Sequence, residues 1–257
     1  MRGHLLVGIS PLQKVPEVLW EIRGKRILDV GCGAGVYGYL IRNQWHSTWA
    51  GRDQFRNLAA RDVNNDKPAF LAGVDIRIND VLRSKYHNVY DYLCLANASH
   101  LPFPTNFVDT IICIEVLEHL KKQDALKAIE DFKRIAQRQI IITIPKDAVE
   151  EITETDERAY LKIDTDDPEV LEFIKAEKHK SRFSQKELQK LGFQVGETIY
   201  DNGLKGYLKK IRRIYRNKFG RNKFQILAVC HLNKPDNTCN YELPLAKKFV
   251  NEIPDFR

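Results

Sequence analysis

Residues 26–35, Arg26-Ile27-Leu28-Asp29-Val30-Gly31-Cys32-Gly33-Ala34-Gly35, decide the reading of this chain. The apolar run through Val30 has the length of a buried strand, and three alternating glycines close it. Val36 to Asn43 then continues as a helix with aliphatic and aromatic positions. Glycines at a strand-to-helix turn permit positive φ and bring bare backbone close to a ligand. The helix that follows opens with unbonded N–H groups. Either the turn is a ligand cradle or it is a tight connection with no ligand.

Outward from this turn the same pattern recurs. Phe70–Ile76 (FLAGVDI), Tyr92–Ala96 (YLCLA), Thr110–Ile114 (TIICI) and Gln139–Ile144 (QIIITI) read as strands. Asn79–His87 and Gln123–Ala136 read as helices between them. The strands are continuous apolar runs rather than alternating ones, as strands covered on both faces are. Strand–helix alternation at this spacing predicts an α/β fold with a doubly wound parallel sheet. After Pro145 comes a helix over 183–191, with Ser184 as N-cap, Glu187 three residues later and Gly192 at its end. Phe193–Tyr200 and Phe224–Leu232 complete the set, paired antiparallel with each other. The expectation is a mostly parallel seven-stranded sheet with an antiparallel last strand. Residues 12–23 form a short amphipathic helix with Leu12, Val15, Leu19 and Ile22 on one face.

The 257 residues carry a net charge of +7, but the excess is local. Residues 205–223 hold nine bases and no acid; without them 32 bases face 34 acids. Residues 147–172 hold eleven acids against Arg158 and Lys162. The body is near neutral, with one acidic and one basic segment. Leu204, Tyr207, Leu208, Ile211, Ile214, Tyr215 and Phe219 recur at helical spacing among the bases. A basic amphipathic helix over 204–223 suits an anionic membrane surface, an anionic ligand or nucleic acid; a helix packed on the sheet with solvated charges is the alternative. No apolar run reaches the ~20 residues of a membrane span, and Leu5–Ile9 is too short for a secretory core. Five cysteines without CxxC spacing argue against a disulfide framework and a zinc site, and for a reducing cytoplasm. Location is therefore expected to be cytoplasmic, or peripheral to a membrane if the basic segment docks on one.

Gly33-x-Gly35-x-x-Gly38 also fits the dinucleotide fingerprint, so a nicotinamide-dependent oxidoreductase is one reading. The downstream motifs point elsewhere. ILDVGCGAG (27–35), GVDI (73–76), ANASHLPFPTNFVDTIICIEVLEHL (96–120) and KSRFSQKELQKLGFQV (180–195), in this order, resemble the class I S-adenosylmethionine-dependent methyltransferases, in particular the type 11 group with its Rossmann-like fold. The resemblance spans about residues 25–200 and the strand near 224–232. It implies S-adenosylmethionine as cofactor. It further implies that the backbone at Gly31, Gly33 and Gly35 cradles the amino-acid and ribose parts, that Asp29 orients the methionine amino group, and that an acid at the second strand's end binds both ribose hydroxyls. Asp53 and Asp75 compete for that last role. Asp75 ends an apolar strand and leaves room for one helix and one strand before Asn97, whereas Asp53 would strand FLAGVDI in between. Asp75 is therefore the choice, and 44–68 reads as an insertion. Asn97 stands where the family often has an aspartate facing the adenine amino group; its amide oxygen accepts the same bond without charge. A plain turn is its other reading. By the same resemblance the Ala98 N–H would reach the adenine ring, and Leu101, Pro102 and Phe103 would pack on it or in the core.

Methyl transfer from a sulfonium is an in-line displacement in which the protein mainly positions the acceptor. Glu115, His119, His100 and His179 are the candidates for a base. Glu115 and His119 follow the fourth strand at i, i+4, so both would face one side of a helical turn. The EVLEHL pattern recurs across the family whatever the acceptor, which favours a structural or cofactor-side role for His119; His179 reads as a surface residue or as a wall of the acceptor pocket. No metal is expected. The chain thus divides into an N-terminal helical segment (1–24), a methyltransferase domain (25–234, with insertions near 44–68, 147–180 and 203–222) and a tail (235–257). The expected acceptor is a small molecule, a glycan or a lipid-linked group; RNA methylation is the second reading.

Overall fold

A computed structural model describes residues 15–43, 67–145, 178–196, 225–232 and 234. The segments 44–66 (with Asp53), 147–177, 203–223 and 235–257 lie outside them, as does Leu12. Among the described residues the chain runs α1 (Val15–Glu21), β1 (Arg26–Val30), α2 (Val36–Arg42), β2 (Phe70–Asp75), α3 (Ile78–His87), β3 (Tyr92–Leu95), β4 (Val108–Ile114), a 3-10 turn (Leu117–His119), α4 (Lys122–Ile135), β5 (Ala136–Pro145), α5 (Gln185–Lys190), β6 (Gln194–Gly196) and β7 (Gln225–His231).

The seven strands form one sheet in the order β3-β2-β1-β4-β5-β7-β6. β1 to β5 are parallel, and β7 runs antiparallel to both β5 and β6. Alternate strand residues enter two separate cores. Leu28, Val30, Ala72, Val74, Ile111, Ile140 and Ile142 pack with Ala125, Ala128, Ile129, Phe132 and Ile135 of α4 and Leu188 of α5. Ile27, Leu71, Ile112 and Ile141 pack on the other face with α1, α2 and Val81 of α3. This two-sided covering is why the strands carry no polar alternation. α4 contributes its residues at helical spacing, a single apolar stripe. In α1, Val18 joins Val15 and Leu19 in the core, with no exposed surface.

The chain adds β2 and β3 on one side of β1, then returns to add β4 and β5 on the other. Order therefore reverses between β1 and β4, and the strand ends there form the crevice where open α/β sheets bind ligands. At the far end of the sheet α5 carries the expected capping box: Ser184 Oγ accepts from Glu187 N at 3.2 Å, and Glu187 Oε2 accepts from Ser184 N at 2.7 Å. No helix among the described residues is long and apolar enough to cross a membrane.

Candidate cofactor and acceptor site

Gly31, Gly33 and Gly35 all have positive φ (75°, 51° and 87°). They differ in what surrounds them. A Cβ on Gly31 would lie 2.2 Å from Val116 Cγ2, so the loop after β4 packs directly on this glycine. A Cβ on Gly33 would meet nothing within 4 Å. Packing therefore requires glycine at 31, whereas at 33 the chain turns bare backbone toward open space. Two alanine variants separate these roles. Gly31→Ala is expected to lose several kcal/mol of stability through the collision and the unfavourable φ. Gly33→Ala should cost only about 1–2 kcal/mol through φ, yet weaken S-adenosylhomocysteine binding at least tenfold. Thermal melts and calorimetry on both variants check this.

Gly38, the last glycine of the dinucleotide-like pattern, sits inside α2, where a Cβ would fall 2.3 Å from the Tyr90 ring. Its smallness serves helix packing. Tyr90 in turn donates its hydroxyl to Asp29 Oδ2 at 2.6 Å. Asp29 is 2% exposed, and its carboxyl is pushed up to about 7, by burial first, with Asp75 adding to it and the Tyr90 bond opposing. The same burial holds the Cys32 thiol well above its ordinary value, so this loop offers no thiolate nucleophile.

Asp75 ends β2 beside the loop. Its Oδ2 accepts from Gly33 N and its Oδ1 from Arg77 N, both at 2.9 Å. An ionised carboxylate has about four lone-pair sites, so these two bonds leave about two for a ligand diol. Burial raises its pKa, and the Arg77 and Gly33 N–H groups and the Arg77 side chain oppose the rise. Next to it stand Ile76, 60% exposed, and Leu95, 51% exposed at the end of β3. Within FLAGVDI and YLCLA both have the pattern of ordinary strand residues. As apolar side chains at neighbouring strand tips, they fit a flat apolar ring beside the carboxylate. Tyr37, on α2, has a buried hydroxyl with no hydrogen-bond partner, and its electrostatic neighbours are Asp29, Glu115 and Glu17. Together the open backbone at Gly33, the spare lone pairs of Asp75 and this orphaned hydroxyl fit a polar ligand with a diol and a charged end.

Among the adenine-side candidates the turn and the core take several of the side chains. The Asn97 Oδ1 accepts from Ser99 N and Ser99 Oγ, both at 3.0 Å, so both of its lone pairs serve the turn. To meet an adenine amino group as acceptor it would have to release Ser99. Ala98 is buried. Leu101 and Phe103 are core residues, Phe103 stacking on Phe107 with centroids 5.0 Å apart. His100 is tied to Ser99 Oγ (2.8 Å) and Lys127 Nζ (2.5 Å). The helical i, i+4 pairing of Glu115 and His119 is corrected: Glu115 lies before the 3-10 turn with φ 54°, a left-handed conformation that takes it off any helical face. His119 instead meets His179, ring centroids 5.0 Å apart and planes inclined at 62°. No local spacing announces that contact, which joins residues sixty positions apart.

A family model described as a methyltransferase domain matches residues 10–197. An uncharacterized protein of Methanocaldococcus jannaschii is 27% identical over 126 residues, covering 48% of this chain and 42% of its own. A tRNA U34 carboxymethyltransferase of Pseudomonas savastanoi pv. phaseolicola is 30% identical over 155 residues, 49% of this chain and 41% of its own. The chain thus spans less than half the length of the curated relatives it matches. The magnesium protoporphyrin IX methyltransferase of Synechocystis, solved with bound S-adenosylhomocysteine, superposes with a TM-score of 0.44 at 18% identity, over 87% of this chain and 84% of that one.

Proposed function

Because the chain belongs to the methyltransferase-domain family, we propose that it transfers a methyl group from S-adenosylmethionine to a small-molecule, glycan or lipid-linked acceptor. The nicotinamide reading falls with that membership. The observation that carries the cofactor assignment is the pair of adjoining strand tips, with unhindered backbone at Gly33 2.9 Å from the Asp75 carboxylate. When bound, the cofactor supplies a sulfonium methyl whose transfer releases a neutral thioether. The chain's part is to bind and orient. Asp75 would accept the ribose hydroxyls, Asp29 the methionine ammonium, and Gly31, Gly33 and Gly35 would line the backbone cradle. Ile76 and Leu95 would flank the adenine, with Ala98 and Asn97 at its edge. Val116, packed on Gly31, ties the donor loop to the segment that carries Glu115 and His119, the candidate acceptor-side groups.

A cytoplasmic location belongs to the same reading and is supported by the free thiols of Cys32, Cys94, Cys113 and Cys230. Incubating cell extracts with methyl-deuterated S-adenosylmethionine and this protein tests the acceptor class by mass spectrometry. Label in metabolites or lipids is the expected result, and label in RNA nucleosides alone would replace it. RNA is kept as second reading because the tRNA-modifying relative aligns with half of this chain and because residues 204–223 are basic. Under that reading tRNA binding must weaken steeply with salt, and a flat salt response ends it.

A further inference from the structure

We propose that Glu118, His119 and His179 form a binding site for one first-row divalent cation, with Zn²⁺ the best match. One ligand atom from each residue lies within 4.8 Å of the others, and Glu118 Oε1 is 4.0 Å from His119 Nε2. Metal bonds of about 2.0–2.2 Å hold neighbouring ligand atoms roughly 3–4 Å apart, so small side-chain rotations close the site. The backbone fixes the approach of the two segments. Lys180 N (2.7 Å) and Ser181 N (3.0 Å) both donate to the Glu118 carbonyl, and Ser181 Oγ donates to the Leu117 carbonyl at 2.9 Å. His179 is thereby brought beside the 3-10 turn by bonds independent of the ligands themselves.

Two imidazoles and one carboxylate form a borderline N₂O donor set, suited to Zn²⁺, Co²⁺, Fe²⁺ or Mn²⁺ rather than Ca²⁺. Glu118 is 2% exposed with both carboxylate oxygens buried, while both histidines are half-buried and form the side from which a cation would enter. Three protein ligands leave at least one coordination position for a further group, the arrangement of catalytic rather than structural sites. Leu117 and Val116 link the cluster to Gly31. An oxygen of the acceptor is the natural occupant of that open position, a clause that rests on the methyl-transfer reading; the cation site does not.

The test uses the full chain, stripped with chelator and dialysed against Zn²⁺ or Co²⁺. One equivalent should bind. His119→Gln and His179→Gln should each weaken binding by more than about 100-fold, and the exposed His87→Gln should leave it unchanged. S-adenosylhomocysteine calorimetry on the same samples reports the cofactor site separately, so loss of metal with retained cofactor binding is distinguishable from failure of the transferase reading. X-ray absorption of Zn²⁺-loaded wild-type protein, which needs no variant, should show two imidazoles and oxygen. Unchanged metal binding in both histidine variants, a zinc shell without imidazole, or no binding at zinc up to about 0.1 mM would overturn the site.

Discussion

Asp75→Ala is expected to weaken S-adenosylhomocysteine binding by roughly two to four orders of magnitude without unfolding the protein. Hydrogen bonds to a charged acceptor contribute about 1.5–3 kcal/mol each, and a ribose offers two hydroxyls to one carboxylate. The stability side is small for a physical reason. Burial raises the Asp75 pKa, so its ionised form is held at a cost that alanine removes. Against that, Gly33 N and Arg77 N lose an acceptor, and both bonds are only part-buried, within reach of water. The net change should stay within about 1–2 kcal/mol. Asp75→Asn keeps one oxygen acceptor without charge and should fall between wild type and alanine. Calorimetry on the three proteins decides the matter. An alanine variant that binds within threefold of wild type would remove Asp75 from the site and turn attention to Asp53.

The sheet was legible because burial on both faces writes each strand as an unbroken apolar run, and Ile27 with Leu28, or Ile111 with Ile112, divide between two cores as that pattern requires. The ends were less so. β4 begins at Val108, which pairs with Ala136 across a shift in register, and nothing in the local sequence marks a register shift. The glycine turn and Asp75 could be read because their chemistry sits in a few consecutive residues at strand tips. The Tyr90–Asp29 bond, the seating of Val116 on Gly31 and the meeting of His119 with His179 could not, since each is chosen by packing between distant segments. Periodicity failed at Glu115 for a related reason. A left-handed residue breaks the helical phase on which the i, i+4 argument depends. Ile76 and Leu95 show the same limit from another side: an apolar residue reads alike whether the strand end is covered or open.

Asp29→Asn should separate binding from stability, with opposite signs. The Asp29 carboxyl moves from 3.8 to about 7 on folding, chiefly through burial. Because the folded value is raised, the stabilisation linked to its proton is fully present below the unfolded value and is lost as pH rises toward 7. Above that, ionised Asp29 costs on the order of 4 kcal/mol relative to its neutral form. Asparagine never ionises, and its amide oxygen still accepts from the Tyr90 hydroxyl. The variant should therefore be more stable than wild type at pH 8 by a few kcal/mol, with the gain fading toward pH 4. Cofactor affinity moves the other way. An ammonium held by Asp29 needs the charged form, so wild-type affinity for S-adenosylhomocysteine should rise up to about tenfold per pH unit below 7 and level off above it. The asparagine variant should bind weakly and without that rise. Denaturant melts at pH 5 and pH 8, with calorimetry across the same range, measure both effects. If wild-type affinity is flat with pH while the variant is less stable at pH 8, Asp29 is a buried structural acid and the ammonium is held elsewhere. If the two signs oppose as stated, the fold carries a buried charge at a net cost because its ligand needs it.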